Sequence, residues 1–260
     1  MWHEIRLFFI ALQFLTRVPV PRWVGWQPEW LHHSARHFAA VGLVVGGFAA
    51  LVLWLAAHWW PAGVAVLLSL AATVWMTGSF HEDGLADTCD GLGGAVSRER
   101  ALAIMKDSRL GTYGAVGLLL VLALKAAALH GMATRDLGAT LAALPLAHAW
   151  SRGATVVLLR LLPYGGDVEH AKAKPLAQQV DGLGLAVALV WCVLAAGVAS
   201  VFISPPLLLV AAGAVVGVTL FMARWLQRRL GGYTGDALGA TQQFSELAVY
   251  LALLAMLAQG

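Results

Sequence analysis

Apolar residues along this chain fall into long unbroken runs rather than alternating with polar ones. Residues 38–57 and 59–80 carry no charge, 110–134 only Lys125, 137–159 only Arg152, and 237–258 only Glu246. The stretch 182–223 is uncharged for 42 residues and is divided at Ser204-Pro205-Pro206. A bilayer core needs roughly 20 apolar residues per helix, so these runs predict seven transmembrane helices. Residues 5–20 are apolar but interrupted by Gln13, Thr16 and Arg17, and Val18-Pro19-Val20-Pro21 closes them. That segment is short for a span and has no small-residue cleavage site, so it predicts an interfacial helix within 1–35. The expected fold is all-α: one integral-membrane domain over 1–260, with a polytopic helical bundle over 36–260.

Composition agrees with the pattern. Hydrophobic residues make up 60% of the chain and charged ones 12%, and the mean hydropathy is +0.75, outside the range of water-soluble domains. Lys and Arg then set the orientation. Arg6, Arg17, Arg22 and Arg36 precede the first run. Arg98, Arg100, Lys106 and Arg109 lie in the loop at 81–111, and Arg160, Lys172 and Lys174 follow the fourth run. Arg224, Arg228 and Arg229 adjoin the turn near 230, whereas the intervening connections hold only Arg135. By the positive-inside rule the N-terminus and the long loops face the cytoplasm. The pI of about 9.1 follows from this bias and implies no nucleic acid. Cys89 and Cys192 form no CxxC pair, which argues against a disulfide or zinc site.

Against this background one segment stands out: His81-Glu82-Asp83-Gly84-Leu85-Ala86-Asp87-Thr88-Cys89-Asp90-Gly91. The chain has 14 acidic residues, and six fall between Glu82 and Asp107. Packed carboxylates repel one another and resist desolvation, so a divalent cation is their natural counter-charge. Oxygen donors without a Cys/His set favour Mg²⁺ or Mn²⁺ over Zn²⁺. Asp83, Asp87 and Asp90 are spaced i, i+4, i+7 and fall within about 60° of one helix face, while Glu82 and His81 point elsewhere if the helix is regular. Gly84 and Gly91 leave that regularity open.

Two further segments carry compatible chemistry. Lys106-Asp107-Ser108-Arg109-Leu110-Gly111-Thr112-Tyr113-Gly114 combines cations for phosphate oxygens with glycines whose N–H groups can approach an anion at a helix N-terminus. Gly231-Gly232-Tyr233-Thr234-Gly235-Asp236 precedes the last run, where Asp236 either caps the helix or joins a metal shell. Glu246, inside that run, needs a partner, and Lys125 or Arg152 is expected to supply it. In this topology His130 and His148 belong near the outer surface, away from the chemistry.

Taken in order and at this spacing, the first two motifs resemble those of the cobalamin synthase family, the adenosylcobinamide-GDP ribazoletransferases. Lys172-Ala-Lys174-Pro175 and the Gly231–Glu246 segment are similar as well, whereas 164–171 match loosely and Cys89 stands where a small residue is expected. The resemblance covers the chain from roughly residue 36 onward. It implies an inner-membrane transferase that joins adenosylcobinamide-GDP to α-ribazole or its 5′-phosphate, releases GMP and requires Mg²⁺. It implies Asp83, Asp87, Asp90 and Asp236 as metal ligands, with Lys106, Ser108, Arg109, Arg152 and Gly235 holding substrate. Either Asp87 or His81 would serve as general base. The substrates and the bilayer are the implied partners, and self-association or contact with other cobalamin-assembly enzymes stays open. Two other readings compete. Asp87-x-x-Asp90-Gly is also similar to CDP-alcohol phosphotransferases, and an intramembrane carboxylate path would suit a divalent-cation transporter.

Overall fold

The computed structural model describes residues 2–166 and 180–258, so Lys172, Lys174 and Pro175 lie outside the described residues. Eleven α-helices account for most of the described chain: α1 (Trp2–Leu15), α2 (Pro28–Ser34), α3 (Phe38–Ala56), α4 (Ala62–Thr77), α5 (Phe80–Leu92), α6 (Arg98–Met105), α7 (Thr112–Ala133), α8 (Leu137–Leu161), α9 (Gly182–Ala199), α10 (Pro205–Leu230) and α11 (Gly235–Leu257). The only β-type pairing among the described residues is an isolated bridge between Tyr164 and Tyr233.

Five helical stretches are long and apolar enough to cross a bilayer, the first running through α2 and α3 from Pro28 to Ala56. A sixth results if α4 and α5 count as one broken span. The expected seven is therefore not reached by length and composition, for two reasons. The run at 59–80 breaks at Gly78 and Ser79, both left-handed (φ 68° and 61°), and α5 leaves α4 at 88°. Helix α8 falls short of the apolarity threshold because it is the interior helix. Its Thr140, His148, Ser151, Arg152 and Thr155 are all buried, and a helix shielded from lipid can carry polar residues.

Close packing around α8 is set by small residues on α3. A Cβ at Gly42 would lie 2.2 Å from the His148 carbonyl oxygen, and one at Gly46 would lie 2.4 Å from Pro145 Cα. This small-xxx-small seam lets the two backbones touch. Lipid-facing positions run along the outer helices, with Leu119 and Leu120 on α7, Val193 and Val198 on α9, and Leu209 and Phe221 on α10 exposed. Exposed Trp23 and Trp26 precede the first span and Trp59 and Trp60 follow it, as expected at the two membrane interfaces.

Helix α1, at 14 residues, is too short to span. It buries Leu7, Ile10, Ala11, Leu12 and Leu15, and its Glu4 pairs with Arg36 at 3.2 Å and His37 at 3.0 Å. Its C-terminal end meets the α4–α5 corner, where the Arg17 N–H donates to the Met76 carbonyl at 2.8 Å.

Candidate active site

Helix α5 is a regular α-helix, which settles how its residues divide. His81, Gly84, Leu85, Thr88 and Leu92 form the buried side, and Asp83, Asp87 and Asp90 lie opposite. Asp83 is exposed and Asp87 partly so. His81, proposed as a base from sequence, is 4% exposed and faces the bundle interior, away from the carboxylates. It does not share their face.

The backbone of Asp236 meets α5 at a helix crossing on the Gly84 side. A Cβ at Gly84 would sit 2.8 Å from the Asp236 carbonyl oxygen and 3.0 Å from its Cα, and one at Gly239 would sit 3.2 Å from the His81 carbonyl. At Gly84 a side chain would push the two backbones apart, and at Gly239 it would force a shift of a few tenths of an ångström. Asp83 and Asp87 lie one residue before and three after Gly84, so along the axis of α5 the crossing falls within about one turn of both. The cap of α11 is not Asp236 but Thr234, whose hydroxyl accepts from the Ala237 N–H. Gly235 opens the helix, exposed and with open space where a Cβ would be.

Asp90 is used differently from the expectation. Its carboxylate accepts the Gly111 N–H at 2.8 Å and the Gly114 N–H at 2.7 Å, capping α7 from a separate helix. Sequence placed a phosphate at these glycine N–H groups; the anion there is a side chain of the protein itself. A Cβ at Gly114 would lie 2.3 Å from Asp90 Oδ2, so the cap requires glycine. Asp90→Ala is expected to lower stability by about 1–2 kcal/mol, whereas Asp90→Asn, which keeps one of the two acceptor oxygens, loses less. Thermal unfolding in detergent checks this. Loss of activity in Asp90→Asn at unchanged stability would instead make Asp90 a ligand.

Of the predicted phosphate cations, Arg109 lines an open groove of about 570 Å³ between α6 and the start of α7, together with Asp90, Arg100 and Tyr113. Arg109 is 87% exposed and grips Asp107 with two nitrogens. That contact holds the Asp107 carboxyl down to about 2. A pair this exposed is worth little in water, so the guanidinium can exchange Asp107 for a phosphate. Lys106 and Ser108 are exposed on the same loop. Arg100, which also lines the groove, is an addition to the sequence-derived set.

Arg152 is not at this surface. It is 1% exposed, and one guanidinium nitrogen bonds the His148 Nδ1 and carbonyl at 3.1 and 3.0 Å. It belongs to an interior polar network centred on Glu246, which pairs with Lys125 at 2.9 Å and accepts from Gln242 at 2.6 Å and Tyr250 at 3.2 Å. His148 Nδ1 lies 3.5 Å from the same carboxylate, so this histidine is interior rather than near the outer surface. The network surrounds a cavity of about 10 Å³, room for roughly one water. Gln242 and Gln243 were passed over in sequence, although two adjacent amides inside an apolar run are the kind of signal that marks such a network.

Two arginines of the positive-inside set prove to be clamps. Arg98 donates to the carbonyls of Leu230 at 2.7 Å and Gly165 at 2.8 Å, and Arg229 to those of Leu92 at 3.2 Å and Gly94 at 2.9 Å. They join the ends of α5, α8 and α10, holding the acidic face and the groove at one end of the bundle.

This arrangement can be set beside known proteins. The family model for cobalamin-5-phosphate synthase matches residues 7–254. The chain belongs to that family. An adenosylcobinamide-GDP ribazoletransferase of Leptothrix cholodnii is 65% identical over 97% of this chain and 96% of its own length. Those of Polaromonas naphthalenivorans and Shewanella amazonensis are each 46% identical, covering 97% and 99% of this chain and 99% and 98% of their own. No solved structure matches. Membership in the cobalamin-5-phosphate synthase family sets aside the CDP-alcohol phosphotransferase and cation-transporter readings.

Whether the family's implied Mg²⁺ suits these residues can be judged from the donors. Among the described residues no three His, Cys, Asp or Glu side chains are grouped closely enough to hold a metal on their own. Mg²⁺ does not need such a cage, since it is usually held by one or two carboxylates together with water and substrate phosphate. Asp83 and Asp87, one helical turn apart on a face of α5 partly open to solvent, fit that mode. Neither Asp87 nor Asp236 is without an interaction partner in the folded chain.

Proposed function

We infer that this protein is an adenosylcobinamide-GDP ribazoletransferase, joining adenosylcobinamide-GDP to α-ribazole or α-ribazole 5′-phosphate with release of GMP. The observation that carries this reading is the match of residues 7–254 to this family, in a chain whose α5 holds Asp83 and Asp87 on one face and is crossed by α11 at Gly84. In the reaction a ribazole hydroxyl oxygen forms a bond to the phosphorus that carries cobinamide, and the bond from that phosphorus to the GMP oxygen breaks. Asp83, Asp87 and Asp236 would hold Mg²⁺, whose charge would offset that of the diphosphate and the leaving group. Asp87 takes the hydroxyl proton, because it is the carboxylate that shares the open face and the crossing. Lys106, Arg100 and Arg109 bind the diphosphate oxygens, with Ser108 and the exposed turn at Gly235 placed for neutral contacts. Arg152 and His81 take no part in binding substrate, because both are buried behind α5.

The site faces the cytoplasm of an inner membrane in this reading, where nucleotide substrates are available. Reporter fusions after residues 95 and 232 are expected to read inside, and those after 60, 133 and 205 outside. An outside signal at 95 would overturn the orientation. The activity is tested by incubating membranes containing the protein with adenosylcobinamide-GDP, α-ribazole 5′-phosphate and Mg²⁺, and weighing the corrinoid product by mass spectrometry. A nucleotide-loop product that disappears on chelation supports the reading; unchanged substrate with wild-type protein refutes it.

A further inference from the structure

The acidic helix is attached to the rest of the molecule in an unusual way. It follows a sharp corner, so it is not the continuation of a span, and its rotation about its own axis decides where Asp83 and Asp87 aim. On its inner side the residue next to Asp83 is Glu82. Oε1 of Glu82 accepts from Gln243 Nε2 at 2.9 Å, while Oε2 is buried with no hydrogen-bond partner among the described residues. Gln243 in turn accepts from Lys125 Nζ at 2.7 Å through its carbonyl oxygen and donates to Gln242 Oε1 at 2.9 Å. Lys125 leads on to Glu246.

We propose that Gln243 and Glu82 form a positioning strut that fixes the acidic face of α5 from inside the bundle, and that Glu82 is neither a metal ligand nor a base. A primary amide suits the junction because it offers an acceptor to an ammonium and donors to a carboxylate at once. The ammonium on one side and the carboxylate on the other leave only one orientation of that amide. Neither a carboxylate nor an apolar side chain at 243 meets both demands. Helix α5 is thereby tied to α7 and α11 through one side chain, and the interior network gains a role in aiming the site without touching substrate.

The inference rests on the proposed activity but is tested partly without it. Gln243→Glu places a carboxylate against Glu82 and should lower kcat by about 10–100-fold with little change in KM, the cost of a small misplacement remote from the chemistry. Amide hydrogen exchange across 80–92 should rise in the same variant. The reciprocal pair, Glu82→Gln with Gln243→Glu, rebuilds the bond in the opposite direction and keeps a partner for Lys125, so it should recover most of kcat and of the α5 protection. Glu82→Gln alone still accepts from Gln243 and should keep most of the activity, which provides a test even if Gln243→Glu fails to insert. Wild-type kcat in Gln243→Glu would overturn the strut. So would a Glu82→Gln variant, or a reciprocal pair, that is inactive with α5 fully protected, because Glu82 would then act through its own charge. Absence of product from the wild type would sink the activity while leaving hydrogen exchange to judge the strut.

Discussion

Asp87→Asn is expected to reduce turnover by at least about 100-fold at saturating Mg²⁺, because one substitution removes both a metal-binding charge and the proton acceptor. The amide is nearly the same size, and Asp87 lies on the partly open side of α5, so folding should be preserved. Detergent-purified variant should therefore unfold at the wild-type temperature while binding Mn²⁺ more weakly by electron paramagnetic resonance. Asp83→Asn separates the two roles. It should mainly raise the Mg²⁺ concentration needed for half-maximal rate, since Asp83 contributes charge to the same face without taking the proton. Wild-type kcat in Asp87→Asn would remove the catalytic assignment from α5.

The second large effect is on stability. Lys125 and Glu246 are 3% and 2% exposed in their side chains and pair at 2.9 Å between α7 and α11. Lys125→Met leaves the Glu246 carboxylate buried without its ammonium, and breaking a buried pair from one side costs about 3–5 kcal/mol. The expected result is low yield and early unfolding, with a lowered kcat in the molecules that do fold because the ammonium also orients Gln243. Adding Glu246→Gln removes the stranded charge, and the double variant should regain much of the loss. A Lys125→Met protein as stable as the wild type would show that Gln242, Tyr250 and His148 suffice to hold the carboxylate.

The acidic cluster was legible in sequence because charges are so rare in this chain that six acids between Glu82 and Asp107 could not pass for ordinary surface. The helical period of α5 likewise separates Asp83, Asp87 and Asp90 from His81. The function of Asp90 was not legible. Its partners, the N–H groups of Gly111 and Gly114, lie more than twenty residues away, and sequence shows an anion site without showing which anion fills it. His148 was misplaced for a related reason. Its position near the outer surface came from the order of the spans, which does not tell which helix is central, whereas α8 is interior and carries its polar residues inward.

Hydropathy alone determined that this is a membrane-embedded all-α protein, because a backbone in lipid must satisfy its own hydrogen bonds and long apolar runs then have only one economical form. The motifs and their order were sufficient to point to the family. Tertiary structure decided what depends on distance between remote segments. The left-handed corner at Gly78 and Ser79 turns α5 out of line with α4, and the glycine-to-backbone contacts with α11 bring the backbone of Asp236 to Gly84. The same packing buries His81 and Arg152 and assigns Arg98 and Arg229 to carbonyls rather than phosphates. A residue's charge is written in the chain, but what that charge faces is set by which backbones can touch.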